Sequence, residues 1–128
     1  MDIFKLYFEK KKTNSLVNRL YFPNGKIRFE VWWKRGTFHR TDGPAYQTWF
    51  ENGQLEYEKW YLDGKLHRIG DPAVQVWDKD GLLLRKAWWI NDFQYTKEDY
   101  WKLLFKMIKQ RKIKRTTHID IEGLTAMV

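Results

Sequence analysis

The chain has 128 residues, and its 24 Lys and Arg outweigh 16 Asp and Glu to give a formal charge of +8. That length suits one domain of about 100–200 residues, and the 8 Trp, 7 Tyr and 8 Phe supply enough apolar area to exclude a wholly disordered chain. The absence of Cys excludes disulfide scaffolds, Cys nucleophiles and thiolate metal sites.

At the N-terminus, Ile3, Phe4, Leu6, Tyr7 and Phe8 are apolar enough to be ordered, and Lys10-Lys11-Lys12 reads as a short basic loop. Charges interrupt this stretch, so it lacks a signal-peptide core, and no apolar run nears the roughly 20 residues of a membrane span. The expectation is a chain that is not secreted, with residues 1–16 as an N-terminal segment.

From residue 17 to residue 95 the chain repeats itself. Gly25, Gly53 and Gly81 are each 28 residues apart, as are Trp32, Trp60 and Trp88, and Tyr21, Trp49 and Trp77. Gly36 matches Gly64, His39-Arg40 matches His67-Arg68, and Pro44-Ala45 matches Pro72-Ala73. A kept phase of this kind marks stacked structural units. One unit reads as two strands joined by a tight turn at Asn24-Gly25, Asn52-Gly53 or Asp80-Gly81, followed by a second turn at Gly36, Asp63-Gly64 or Asn91-Asp92. Pro44 and Pro72 cannot donate to a ladder and mark where strands start.

Taking Asn52-Gly53 as a two-residue loop sets Glu51 opposite Gln54, Trp49 opposite Glu56 and Ala45 opposite Trp60. The same count sets Ala73 opposite Trp88 and Val17 opposite Trp32. Small residues then face indoles, and alternation places aromatic rings on both faces of one sheet. The predicted fold is mainly β: a single-layer twisted antiparallel sheet of about three 28-residue hairpin repeats, capped by a C-terminal amphipathic helix.

The phrases Asp42-Gly43-Pro44-Ala45, Trp49-Phe50-Glu51-Asn52-Gly53 and Glu58-Lys59-Trp60-Tyr61-Leu62-Asp63-Gly64-Lys65-Leu66-His67-Arg68 resemble the MORN-type repeat. More narrowly, they are similar to a divergent form abundant in large DNA viruses and in antitoxin-like bacterial proteins. The resemblance covers residues 17–95. It implies a single-layer β-repeat used for protein or membrane contact, a cytoplasmic or virion-associated location, and no catalytic residues. The chain departs from the pattern at Gly70-Asp71, which reverses Asp42-Gly43, and at Asp92, where Gly is expected.

After the repeats, Thr96 has the form of a helix N-cap, with Glu98 and Asp99 in the first turn. Tyr100, Leu103, Leu104, Met107 and Ile108 recur at helical spacing, so a capping helix is predicted over 96–110, folded on the last repeat to cover its open edge. Residues 111–128 form a tail that opens with the basic run Arg111, Lys112, Lys114 and Arg115, and Thr117 to Ile121 reads as a short strand.

Chemistry is sparse. Ser15 is the only Ser, and His39 and His67 sit at equivalent repeat positions, which reads as architecture rather than as a metal or catalytic site. Glu56 and Glu58 share a face flanked by Trp49 and Trp60, most simply a solvated strand face. No phosphate-binding Gly loop is present. No cofactor and no metal are expected. The candidate contact residues are Trp49, Trp60, Trp77, Trp88, Arg111, Lys112, Lys114 and Arg115. The favoured function is a non-catalytic scaffold for a viral or host protein. The first alternative is nucleic-acid binding through the basic tail and exposed aromatics, and the second is adhesion to an anionic membrane surface.

Overall fold

The computed structural model describes residues 6–10, 15–110 and 113. The strands are β1 (Leu6–Lys10), β2 (Ser15–Tyr21), β3 (Ile27–Lys34), β4 (Thr37–Phe38), β5 (Tyr46–Trp49), β6 (Leu55–Lys59), β7 (Tyr61–Leu62), β8 (Lys65–Leu66), β9 (Val74–Trp77), β10 (Leu83–Ile90) and β11 (Phe93–Tyr95). One helix, α1, spans Lys97–Lys109. Every pairing is antiparallel, and the main sheet runs β1-β2-β3-β5-β6-β9-β10-β11, with β4 joined to β3 and β7-β8 forming a separate ribbon. The expected mainly β architecture with a C-terminal helix is what the chain adopts.

Two kinds of turn alternate along it. In the first kind, Gly25 N–H donates to Phe22 C=O at 2.9 Å while Phe22 N–H donates to Lys26 C=O at 2.8 Å. The same pair of bonds recurs at Phe50–Gln54 and Asp78–Leu82. These are three-residue loops, not the two-residue Asn-Gly turns expected from sequence, and only Gly25, Gly53 and Gly81 take positive φ. A side-chain oxygen supports each loop; in the third it is Asp78 Oδ1, which accepts from Asp80 N–H and Leu82 N–H, both at 2.9 Å. Asn24 Oδ1 accepts from Lys26 N–H and Asn52 Oδ1 from Gln54 N–H, both at 2.9 Å, which holds each Asn outside the left-handed region. The extra residue bulges the ladder, so Trp49 faces Leu55 rather than Glu56. Beyond the bulge the expected register holds. Val17 pairs with Trp32, and the flanking registers carried one residue further set Ala45 opposite Trp60 and Ala73 opposite Trp88. Val17, Ala45 and Ala73 are fully buried.

The second kind is a two-residue turn with positive φ at both positions: Arg35-Gly36, Asp63-Gly64 and Asn91-Asp92. Asp92 keeps the conformation at +69° where its counterparts are Gly, and its Oδ1 accepts from Leu66 N–H at 2.8 Å, linking the turn to β8. At Gly64, φ is +78° and an added Cβ would lie 3.1 Å from Thr37 Cβ. Gly64→Ala is therefore expected to lose about 1–2 kcal/mol from backbone strain and more from the contact. Gly25→Ala, strained but facing open space, should lose less. Urea unfolding of the two variants checks the order.

Neighbouring first turns are tied by their Asn side chains. Asn24 Nδ2 donates to Glu51 C=O at 3.3 Å and Asn52 Nδ2 to Lys79 C=O at 2.8 Å. The third turn carries Asp80, which has no amide to donate, and no further first turn follows it.

Two expectations at the N-terminus change. Lys10 is not in a loop: it ends β1 and pairs with Leu16. Residues 6–10 are an added strand on β2 rather than a separate segment, with Leu6, Tyr7 and Phe8 opposite Leu20, Arg19 and Asn18. Ser15 likewise opens β2, paired with Lys34.

The helix forms as the spacing predicts. Thr96 Oγ1 accepts from Asp99 N–H at 3.1 Å, Glu98 and Asp99 occupy the first turn, and Lys106 and Lys109 the last, matching both ends of the helix dipole. Its apolar side packs Tyr100, Trp101 and Leu104 on Ile90, with Ile69, Trp88 and Tyr95 around them. This is the main apolar core among the described residues. It covers the far end of β10 only, so the edge expected to be capped by the helix remains open over Leu82–Lys86.

Candidate interaction surface

Alternation along the strands builds one face from a row of polar side chains and a row of stacked rings. The polar row crosses the sheet in register: Arg19 faces Glu30, Glu30 faces Gln47, Gln47 faces Glu58, Glu58 faces Gln75, and Gln75 faces Lys86. Within it Arg19 Nε donates to Glu30 Oε2 at 2.8 Å, and Trp32 Nε1 donates to Glu30 Oε1 at 2.8 Å. Burial pushes the Glu30 pKa up, but these bonds and the nearby Arg40 outweigh it and hold the carboxyl below its usual range. Glu58 lacks such bonds, and burial pushes it up despite the charges of Arg68 and Arg40.

Beside this row sit two repeated stacks. The Arg40 guanidinium lies 4.1 Å from the Trp32 ring centroid, and that of Arg68 lies 3.9 Å from Trp60. Each Arg is pinned by its own loop. Arg40 Nε donates to Asp42 Oδ1 at 2.9 Å and its Nη1 to Pro44 C=O at 3.4 Å. Arg68 Nη1 donates to Pro72 C=O at 3.2 Å and its Nη2 lies 3.6 Å from Asp71 Oδ2. Asp42 and Asp71 thus serve the same partner despite the Asp-Gly reversal. A Cβ at Gly43 would lie 2.6 Å from the Arg40 guanidinium carbon, so any side chain there would displace the guanidinium from its place.

Between the two stacks lies a groove of about 570 Å³, lined by Arg40, Asp42, Trp60, His67, Arg68 and Asp71 among others. A second, of about 600 Å³, includes Trp49, Tyr46, Phe50, Arg28 and Glu56. On the opposite face, Trp33, Phe38, Tyr61, Tyr46, Tyr57 and Phe29 form a continuous run of ring contacts.

The four candidate indoles therefore have different surroundings. Trp60 is stacked under Arg68 and lines the first groove, Trp49 lines the second, and Trp77 is half-buried opposite Leu83. Trp88 packs on Tyr100, with ring centroids 6.5 Å apart, and belongs to the helix core. Trp60 Nε1 is buried without a partner, whereas Trp32 Nε1 has Glu30. The basic candidates Arg111, Lys112, Lys114 and Arg115 lie outside the described residues, as do His118 and the strand expected at Thr117 to Ile121.

His39 and His67 are inter-unit staples. Asp63 N–H donates to His39 Nδ1 at 2.9 Å, and Asn91 N–H to His67 Nδ1 at 3.1 Å. Both bonds need an unprotonated Nδ1, so the ring proton sits on Nε2. No group of three or more His, Asp or Glu among the described residues could hold a metal ion. Burial pushes the His67 imidazole below its ordinary pKa. The unfolded chain then takes up the proton first, so the stability His67 contributes is complete above its ordinary value of about 6.5 and falls as pH drops from there through the folded-state value. His67→Gln should be less stable at pH 7 and show a flatter decline below pH 6.5. Thermal melts of both proteins across that range check it, and the comparison cancels the opposing slope of Glu58, which both share.

Sequence reasoning missed the binding of Arg40 and Arg68 to their own loops and the role of Tyr100. Tyr100 accepts from Gly70 N–H at 2.7 Å and donates to Arg68 C=O at 2.6 Å, closing the last unit onto the helix. Burial pushes its phenol far above the usual range. The available signal was the 28-residue period itself, which puts Thr96 where Arg40 and Arg68 precede it. The chain matches no family model, no curated protein and no solved structure.

Proposed function

We propose that the chain is a non-catalytic β-repeat scaffold of the MORN type, a viral or host-directed component that binds a protein partner on its aromatic face. The observation that carries this reading is the state of the face's two stacked guanidiniums. Arg40 and Arg68 lie flat on indoles and are held by Asp42, Asp71 and the Pro carbonyls, and Glu30 and Glu58 sit on the same face. Mixed charge among rigid aromatic rings suits a protein interface, where Trp, Tyr and Arg dominate binding energy. A phosphate backbone would meet carboxylates and engaged cations. In the described part of the helix, Lys102 is paired with Glu98 at 3.0 Å. No helix among the described residues is long and apolar enough to cross a membrane.

The test is capture of partners by the full-length chain with and without nuclease. A protein partner that survives nuclease supports the scaffold, and loss of every partner overturns it in favour of nucleic acid. A salt titration gives the quantitative arm. Duplex DNA should bind at about micromolar or weaker at physiological salt, as non-specific binding does. Tail binding would instead give a log–log salt slope of about −4 to −5 if Lys109, Arg111, Lys112, Lys114 and Arg115 each met one phosphate. Nanomolar binding that is lost when Arg111, Lys112, Lys114 and Arg115 become Gln would replace the scaffold reading.

A further inference from the structure

The sheet ends on an edge that has the geometry of an internal one. β3 receives β5 through Phe29, Glu30 and Val31, and β6 receives β9 through Tyr57, Glu58 and Lys59. The counterparts in β10 are Arg85, Lys86 and Ala87, 28 residues on, and β11 pairs only with Trp88, Trp89 and Ile90. Leu82 to Lys86 are all exposed, Leu82 at 63% and Leu84 at 60%. Of their equivalents in the middle unit, Leu55–Glu58 are half-buried and only Gln54 is exposed. Arg85 and Lys86 have no ion pair among the described residues. The outward backbone groups follow from the period. Trp32 and Trp60 donate their N–H to Ala45 and Ala73 of the next unit at 2.8 Å. In a strand, residues two apart send their polar groups the same way. Lys86, two before Trp88, therefore points its N–H and C=O away from β9. An exposed row of this kind is a template for another strand.

The charge of the edge indicates what fills it. The two filled edges set Glu30 against Gln47 and Glu58 against Gln75. At the open edge the same position is Lys86, with Arg85 beside it. A second copy is a poor occupant, because two β10 edges paired antiparallel about Lys86 set Lys86 against Lys86, and like charges directly opposite are destabilising. The geometry points to an extended segment of the protein partner, added antiparallel to β10 in the register of β9 on β6, with an acidic residue opposite Lys86. This rests on the scaffold reading and adds to it a second contact, made by main-chain hydrogen bonds, with sequence preference at one position.

The probe is a labelled peptide with the sequence of residues 72–78 carrying Q75E, compared with the same peptide carrying Q75K, each titrated into the full-length protein. The Q75E peptide should bind about twofold to thirtyfold tighter, since a favourable charge pair replaces an unfavourable one. Lys86→Glu should reverse the order. Lys86→Pro removes only the outward N–H, leaves the bonds of Arg85 and Ala87 to β9, and should abolish binding of both peptides. Hydrogen exchange should slow at the Lys86 amide on binding. Equal affinity for the two peptides overturns the proposal, as does unchanged binding to the Lys86→Pro protein. A Lys86 amide already protected in the free protein also overturns it, since the chain itself or a second copy would then hold the edge. Failure of the scaffold reading is distinct: no protein partner survives nuclease, whatever the peptides do. A partner that binds the Lys86→Pro protein as tightly as the parent removes the edge assignment alone.

Discussion

Tyr100→Ala is expected to lower stability by about 3–5 kcal/mol, the range for removing a buried aromatic ring. Tyr100 is fully buried and packs edge-on against Trp101 and beside Trp88. It also joins the helix to the loop after the second unit, through Gly70 N–H and Arg68 C=O. Tyr100→Phe keeps the ring and removes the hydroxyl. It leaves the Gly70 N–H buried without its acceptor, at a cost of about 1–3 kcal/mol. Against a domain total of about 5–15 kcal/mol, the Ala variant should be marginal at room temperature and the Phe variant folded but clearly weakened. Chemical denaturation checks both. A Phe variant as stable as the parent would mean that Gly70 finds another partner and that the hydroxyl is not what joins helix to repeat.

Trp60→Ala carries the second large effect. The ring is covered by Arg68 at 3.9 Å, its indole nitrogen is buried, and its backbone N–H reaches Ala73 in the next unit. Trp60 itself is only half-buried, so the loss should fall near the lower end of the range for an aromatic truncation, about 3 kcal/mol. Arg68 then loses its stacking surface, while its bonds to Pro72 C=O and to Asp71 do not involve the ring. A double-mutant cycle with Arg68→Leu should give a coupling of about 0.5–2 kcal/mol. A Trp60→Ala protein that melts within a degree or two of the parent would refute the stacked face.

Much of this fold was legible before any coordinates. The 28-residue phase placed the hairpins β2-β3, β5-β6 and β9-β10, because hairpin turns and alternating rings are local signals with a fixed period. Thr96, Glu98 and the spacing of Tyr100, Leu103 and Leu104 placed the helix for the same reason. The register near the first turns was not legible. Asn-Gly fits both a two-residue loop and a three-residue one, and the choice lies in where Asn52 Oδ1 finds a donor. The role of β1 was hidden as well, since five residues of mixed charge signal a strand only once β2 offers an edge to pair with.

What the sequence by itself determined is the periodic part: which residues turn, which alternate, and which small residues face indoles, all set by neighbours within one unit. What only the tertiary structure decided is where each cation ends and where the sheet stops. Arg40 and Arg68 lie among the rings in the sequence and read there as covers across them; they do fold back on Trp32 and Trp60, and also onto their own loops, because a guanidinium can satisfy a ring face, a carboxylate and a carbonyl at once. Arg85 and Lys86 look no different on paper but remain exposed, because α1 packs its apolar side on Ile90 and Trp88 and stops short of them. The difference between an engaged and an available cation depends on contacts between units, which no single period records.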